Sequence, residues 1–383
     1  MKKSLVALAF GTLALGIAEF VMMGILPDVA RSLNVSIPDA GHFISAYAIG
    51  VCCGAPMLVV AHKYQLKHIL LFLAFLILLG SSLAALSVNY WMLLVARFVS
   101  GLPHGAYFGV ASIVAVKLAD EKHKTGAVSI MVAGMTVANL FGVPLATGLS
   151  SSMSWRFPFL LVVFVSIIVL YYIWKWVPDV GALPDNGFKH QFAFLKSDAP
   201  WLILSATMFA NGGIFCWYSY ISPLLTGEGG FSADVLPALM IAAGFGMVAG
   251  NLISGRLCDR HRPGYVVAYT QCIAMVSLLL IYLLADYGWI SAALMIICTG
   301  CLFAVSSPQQ FLILKYAPGG ELLGGASIQM AFNMGNALGA FFGGLPIVYG
   351  LPPRYAALVG VPMLVCGLIS CIAFCRKYQK KEA

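Results

Sequence analysis

Three ionisable residues lie deep within long apolar segments of this chain: Glu19, Arg97 and His104. Of the fourteen acidic residues, only Glu19 is well inside such a segment. An ionisable side chain in a bilayer is costly, so it normally faces the interior of a helix bundle and has a partner there. A buried carboxyl group can exchange a proton near neutral pH. Glu19 is therefore the candidate proton carrier, and a static lock between two helices is the alternative.

Arg97 is the expected partner of Glu19, because it is the only Lys or Arg deep in an apolar segment. At 1.5 Å per residue, Glu19 would lie about 12 Å and Arg97 about 9 Å from the same membrane surface. A proton on Glu19 would then break their ion pair and change the helix arrangement. His104 follows Arg97 by two helical turns on the same face and joins the proton-coupling candidates, with hydrogen-bonded packing as the alternative.

Neutral polar and aromatic residues in the apolar segments form the second set of candidates. A cavity lined by amides, hydroxyls and aromatic faces suits a small, polar, largely neutral solute. For any single residue, hydrogen bonding between helices is the alternative. The candidate substrate-binding residues are Tyr107, Asn139, Asn211, Trp217, Tyr218, Gln309, Gln310, Asn333 and Asn336. His, Cys, Asp and Glu residues nowhere show metal-ligand spacing, so neither a metal nor a cofactor is expected.

Twelve apolar segments position these residues, and a bilayer span needs roughly 20 predominantly apolar residues. The chain has 383 residues, of which 61% are hydrophobic and only 9% are charged. The composition predicts an all-α membrane protein with twelve transmembrane helices. The longest connection, residues 177–199, is too short for a soluble catalytic domain. The spans are placed at about residues 4–27, 40–61, 69–87, 91–116, 126–149, 157–176, 200–224, 235–254, 264–284, 289–314, 322–348 and 355–375.

The basic residues predict the orientation of the chain. With a cytoplasmic N-terminus, 18 of the 22 Lys and Arg residues fall on the cytoplasmic side. Basic residues favour that side, so both termini are expected to be cytoplasmic in the inner (plasma) membrane. The net charge is +8, but the basic residues lie in loops and do not form one basic face. No nucleic-acid partner is therefore expected.

Residues 177–199 also divide the chain into two sets of six spans. We expect two pseudo-symmetric six-helix bundles, residues 1–176 and 200–383, joined by a cytoplasmic linker. A basic loop follows span 2 and again span 8, as in an internal repeat. Spans 5 and 11 carry small residues at four-residue spacing, which either pack tightly or form smooth faces that slide during transport.

The segments that carry a family resemblance are LGIAEFVMMGILP (15–27), HILLFL (68–73), RFVSGLPHGAYFGV (97–110), GMTVANLFGVPLATGLS (134–150), APWLI (199–203), GGELLGGA (319–326) and QMAFNMGNALGAFFGG (329–344). Through them the chain resembles the major facilitator superfamily over essentially its whole length. It is most similar to the AraJ-type branch of arabinose or sugar efflux permeases, within the drug/proton antiporter group.

The resemblance implies roles for several residues. In the superfamily an arginine in span 4 takes part in proton transfer, and Arg97 matches it. A glycine-proline stretch in span 5 is associated with antiporters; Val143 separates the usual adjacent pair here. The loop between spans 2 and 3 departs from the family, because His62 and Lys63 replace a gate-closing Asp and Arg, and Leu58 replaces a glycine. The residues that match gating motifs are Gly134, Gly142, Pro144, Gly255, Asp259 and Arg260.

These features predict a proton-coupled exporter of a small organic solute, a sugar or a drug-like compound, that works by rocking two halves about a central cavity. Glu19 would carry the proton, Arg97 would set its affinity, and His104 would act with them. The expected partners are the solute, protons and the lipid bilayer, and the protein is expected to be a monomer. A passive facilitator, a non-transporting membrane sensor and a membrane-embedded enzyme are the alternatives.

Overall fold

The structure is a computed structural model that describes residues 2–54, 56, 64–119, 124–181, 193–258, 260–318 and 321–379. Within these ranges every regular element is helical. In chain order the main helices are α1 (Lys2–Leu33), α2 (Ile37–Gly54), α3 (Leu66–Ala85), α4 (Tyr90–Gly101 continuing as Pro103–Leu118), α5 (Lys124–Val137 continuing as Val143–Ser152), α6 (Phe157–Trp176), α7 (Asp198–Tyr218), α8 (Leu236–Cys258), α9 (Pro263–Leu284), α10 (Gly288–Ala304 continuing as Ser306–Lys315), α11 (Glu321–Val348) and α12 (Tyr355–Phe374).

Shorter elements extend or join these helices. Single π-helical turns occur at Ala138–Gly142 within α5, at Leu224–Glu228 and at Cys375–Gln379. Two 3₁₀ turns, Ala193–Lys196 and Ala233–Val235, precede α7 and α8. Proline explains the interrupted helices: its ring clashes with the carbonyl four residues earlier. The predicted seventh span, 200–224, is accordingly interrupted after Tyr218, and Pro223 stands beyond the break.

Eleven helices of the described chain are long and apolar enough to cross a membrane, which confirms the all-helical membrane fold. The exception is α2, whose described part ends at Gly54. The predicted second span, 40–61, runs on into residues outside the described ranges, so twelve spans stay a prediction. The first span is longer than predicted, because α1 continues through Pro27 to Leu33.

Helix α1 lies at the centre of the packing. Its most apolar stretch is 78% buried, against 33% for α12 and 39% for α6, which have lipid-facing sides. In the first half of the chain α1 packs on α5 and α6, α3 packs on α4 and α6, and α2 packs on α4. In the second half α7 packs on α11 and α12, and α8 packs on α10. The two halves meet chiefly where α2 packs on α11 and α5 packs on α8.

Most of the regularly spaced glycines of α5 and α11 pack inside their own halves. On α11, a Cβ at Gly335, Gly339 or Gly343 would collide with the backbone of α7, which allows the two backbones to approach closely. Gly134 of α5 likewise lies against the Ala9 carbonyl of α1. In this conformation these glycines allow tight packing, and the sliding of smooth faces during transport stays a prediction.

The two halves carry corresponding arginines at one end, called the outer end here after the predicted orientation. Arg156 precedes α6 and donates to the Ser87 carbonyl in the α3–α4 connection, at 2.9 Å. Arg354 precedes α12 and donates to Asp286 in the α9–α10 connection and to Glu228. These hydrogen bonds lower the pKa of Asp286 and raise that of Arg354. Each arginine thus stabilises, by hydrogen bonds, the connections between helices at the outer end of its own half.

Candidate functional site

Glu19 lies in the middle of α1, where the two halves of the chain meet. Glu19 is only 7% exposed. The Asn336 amide on α11 donates to its Oε1 at 3.2 Å, and His104 Nε2 on α4 lies 3.8 Å from its Oε2. The carboxyl group therefore contacts one helix from each half, so that its protonation state affects both.

Arg97 lies close to Glu19 but is held by backbone oxygens. The buried guanidinium donates from Nη1 to the Ala18 carbonyl at 2.6 Å and from Nε to the Phe43 carbonyl at 3.2 Å. It also stacks over the Tyr47 ring, 4.5 Å from the centroid. The direct Glu19–Arg97 ion pair expected from the sequence is not formed in this conformation, because the carbonyl next to Glu19 takes the guanidinium. The influence of Arg97 on Glu19 is thus electrostatic, across a short gap.

His104 is anchored by Tyr47. Its Nδ1 lies 2.8 Å from the Tyr47 hydroxyl, and its ring stacks on Phe108 with centroids 5.3 Å apart. One ring nitrogen is thereby occupied and the other faces Glu19. Tyr47 touches both Arg97 and His104, yet sequence reasoning missed it. A tyrosine at mid-depth of an otherwise apolar span was the available signal.

The predicted substrate residues of α7 and α11 divide into two groups. Asn211 and Asn336 are hydrogen-bonded to each other, and Asn211 also donates to the Phe332 carbonyl at 3.0 Å. They belong to the Glu19 site. Trp217 and Tyr218 are buried, and the Trp217 indole nitrogen has no hydrogen-bond partner among the described atoms. An indole N–H in this state can donate to a ligand.

The α10 and α11 amides resemble Trp217 in this respect. Gln309 is 1% exposed, and neither of its amide atoms has a partner in the described part of the chain. Asn333 donates to the Gln329 carbonyl at 3.0 Å and leaves its Oδ1 without a partner there. Gln310 leaves its Oε1 in the same state. Buried polar groups are normally hydrogen-bonded, so this concentration on neighbouring helices of the second half requires an explanation.

The other two predicted substrate residues are engaged in packing. Tyr107 is fully buried, and its hydroxyl donates to the Leu8 carbonyl of α1 at 3.3 Å. Asn139 donates to the Met135 carbonyl one turn earlier in α5, at 3.1 Å. Tyr107 therefore shows the hydrogen bond between helices that the sequence left as the alternative, whereas the Asn139 amide bonds within its own helix.

Phenylalanines that sequence reasoning missed join the halves beside Glu19. Phe20 of α1 lies 6.3 Å from Phe215 and Tyr218 of α7, and 5.9 Å from Phe303 of α10, between ring centroids. Such offset contacts stabilise aromatic pairs. A phenylalanine in an apolar span resembles a lipid-facing residue, so the sequence carried no usable signal.

The gating candidates lie at three places. Gly142 contacts Ile17 of α1 and ends the π-helical turn that precedes Pro144. A π-helical turn within an α-helix often marks a functional site. Gly255 has open space around it, and Arg260 is exposed. Asp259 lies outside the described residues, as do Leu58, His62 and Lys63, so a latch involving them stays a prediction.

Helix contacts close the outer end between the halves. On α2, Gly41 lies against the Tyr220 hydroxyl, and Ser45 donates to the Ala337 carbonyl at 2.9 Å. Nearer the membrane centre, Gly244 of α8 lies against the backbone of Asn139. These contacts pack the two halves against each other toward the outer end.

Comparisons with known proteins agree with this architecture. The family model described as Major Facilitator Superfamily matches residues 8–344. The AraJ protein of Escherichia coli (strain K12) is 44% identical over 100% of this chain and 97% of its own. The inner membrane transport protein YdhP of the same strain is 34% identical over 99% and 97%. A probable sugar efflux transporter of Helicobacter pylori (strain P12) is 25% identical over 93% and 90%.

Among solved structures, the fold matches a bacterial homologue of the human lysosomal transporter Spinster in an inward-facing, unoccupied conformation. The TM-score is 0.77, with coverage of 98% of this chain and 97% of that one. The identity is 16%, so this likeness shows the fold alone.

Proposed function

The chain belongs to the major facilitator superfamily, and from that premise we propose that it exports a small organic solute in exchange for protons. In this proposal two six-helix bundles, residues 1–176 and 200–383, alternate access to a site between them. Twelve spans and cytoplasmic termini in the inner membrane complete the arrangement, with a monomer as the working unit. The naming of YdhP as an inner membrane transport protein supports that location.

The observation that carries the proposal is the position of Glu19. A coupling ion must bind where both halves of a carrier can respond to it. Glu19 contacts His104 of the first half and Asn336 of the second. It is buried, so gaining or losing its charge changes the electrostatics of both contacts at low dielectric.

The partnerless polar atoms support a neutral, hydroxylated solute as the proposed cargo. The Trp217 indole N–H, the Gln309 amide and Asn333 Oδ1 supply both donors and acceptors on neighbouring helices. A buried polar group without a partner costs free energy, and a bound hydroxylated solute would relieve that cost. A neutral sugar carries hydroxyls that donate and accept, and relatives named as sugar efflux transporters support this class.

Counterflow in proteoliposomes tests the proposal with radiolabelled arabinose, lactose and glucose as probes. Wild-type protein should accumulate one of them in the vesicle lumen against its gradient when the lumen is more acidic than the outside, because solute entry is then exchanged for proton exit. Glu19→Gln should exchange the same sugar only down its gradient, because the amide cannot carry the proton. A sugar flux in the wild type that ignores the pH gradient would select a passive facilitator instead.

A further inference from the structure

Three buried side chains form a hydrogen-bonded chain that crosses between the halves. Asn211 on α7 donates to Asn336 on α11, and Asn336 donates to Glu19 on α1 at 3.2 Å. Each residue is at most 7% exposed. This series of hydrogen bonds therefore connects α1, which carries Glu19, to α7 and α11 of the second half.

The direction of these hydrogen bonds is fixed by the backbone. Asn211 Nδ2 also donates to the Phe332 carbonyl, so this atom must be the amide nitrogen. Asn336 Oδ1 consequently accepts, and Asn336 presents its N–H group to Glu19. An amide has one accepting and one donating side, so Asn211 positions Asn336 as a donor.

A donor in this position distinguishes a charged from a neutral carboxyl group. A hydrogen bond to a carboxylate is roughly twice as strong as one between neutral groups. Protonation of Glu19 therefore weakens the bond to Asn336. Dry surroundings enlarge the difference, since water cannot replace the lost interaction.

The other charged and titratable groups around Glu19 do not duplicate this link. Arg97 and His104 on α4 and Tyr47 on α2 all belong to the first half, so none of them links Glu19 to the second half, although His104 Nε2 lies 3.8 Å from the carboxyl group. Tyr218 of α7, in the second half, lies within electrostatic range of Glu19. Of the hydrogen bonds that the described residues make to this carboxyl group, the one from Asn336 is the one that joins the halves.

We propose that Asn336 is the coupling residue that prevents the empty, deprotonated carrier from reorienting, and that Asn211 is its positioning residue. This inference rests on the proposed proton-coupled exchange. Exchange stays coupled only if the carrier cannot return without cargo, because an empty return after proton release would let protons run through. The bond holds α1 to α11 in the deprotonated, solute-free protein. A proton on Glu19, or a solute hydroxyl that takes the Asn336 amide, releases it.

Proton entry into proteoliposomes without any solute tests the inference directly. A pH-sensitive dye inside the vesicles reports entry under an imposed proton gradient. Wild-type protein should leak slowly, whereas Asn336→Ala should leak roughly tenfold faster or more, as expected for loss of a hydrogen bond to a charged group. Asn211→Ala should give a smaller increase. The double variant Glu19→Gln with Asn336→Ala should not leak, because the proton carrier is gone.

Thr207→Val is the matched control. Thr207 is buried on α7 one turn before Asn211, and its hydroxyl donates to the Ile203 carbonyl of its own helix at 2.7 Å. This variant should leak like the wild type. A monodisperse elution profile in detergent identifies folded protein, and Asn211→Ala provides the test if Asn336→Ala does not fold.

The coupling role of Asn336 and the proposed proton-coupled exchange can be refuted independently. Wild-type counterflow that follows the proton gradient, together with leak rates of Asn336→Ala and Asn211→Ala no higher than the wild-type rate, would overturn the coupling role and leave the exchange function standing. A wild-type protein that moves sugar with no dependence on the proton gradient would overturn both.

Discussion

Closure of the outer end depends on the close approach of α5 and α8, and Gly244→Val tests it. A Cβ at Gly244 would lie 2.8 Å from the carbonyl carbon of Asn139 and 3.0 Å from the Leu140 Cα, whereas ordinary contacts measure 3.4–4 Å. Both neighbours are backbone atoms and cannot turn aside. The added side chain must therefore separate the two helices.

The expected size of the effect follows from this overlap. Overpacking typically costs about 1–3 kcal/mol. This cost arises only while α5 and α8 are in contact. It therefore destabilises the conformation with a closed outer end and not the one with an open outer end. A differential of this size changes a conformational equilibrium by about 5- to 150-fold. The open population should increase by that factor.

Spin-label distances across the outer end measure this population. Ser151→Cys on α5 and Asp234→Cys before α8 are exposed positions for the labels, in a background where the exposed Cys53 and Cys366 are replaced by Ser. Gly244→Val should add a longer distance to the distribution.

The control for this experiment is Gly246→Val. Its Cβ would collide with the Ile296 carbonyl of α10, within the same half. It should destabilise the fold without altering the distance distribution. Identical distributions for Gly244→Val and the wild type would refute the role of this contact in closing the outer end.

Three further predictions concern the charged groups. Arg97→Lys should lower the unfolding temperature, measured by thermal shift, because an ammonium group cannot match the two-carbonyl geometry of the guanidinium; an unchanged temperature would contradict this. Tyr47→Phe should alter the pH profile of counterflow while the protein stays folded, because His104 loses its hydroxyl partner; a wild-type profile would argue against the link. Arg354→Gln should remove a stabilisation that is present above the ordinary Asp286 pKa of 3.8 and disappears as the pH falls through the lowered value, so the unfolding temperatures of variant and wild type should converge in acid. A temperature difference independent of pH would contradict that assignment.

The sequence predicted the membrane class and the family because these depend on features within single segments. Apolar runs, basic loops and motif spacing are all local. Helix breaks were less well predicted: α1 continues through Pro27, whereas the helix before Pro223 is interrupted. Whether a proline breaks a membrane helix depends on neighbours that satisfy the freed carbonyl, and those neighbours are set by tertiary packing.

The candidate site shows the same division. Glu19 and Arg97 stand out in the sequence because charge is rare in spans. Their hydrogen-bond partners could not be predicted, because helical periodicity shows on which face of its helix a residue lies but not which other helix packs on that face. Arg97 therefore donates to the Ala18 carbonyl instead of pairing with the Glu19 carboxylate. The hydrogen bond from Asn336 to Glu19 joins residues that are 317 positions apart in the sequence.

Infrared difference spectroscopy of the purified protein measures the protonation of Glu19 most directly. On a step from about pH 5 to about pH 9, a range that includes the titration of buried carboxyl groups, the spectrum should lose a protonated-carboxyl band and gain a carboxylate band. Glu19→Gln should lack this exchange, and Asn336→Ala should retain it at a shifted frequency, since the hydrogen bond to the carboxyl group is gone. The same carboxyl signal in Glu19→Gln as in the wild type would contradict the assignment of Glu19 as the proton carrier.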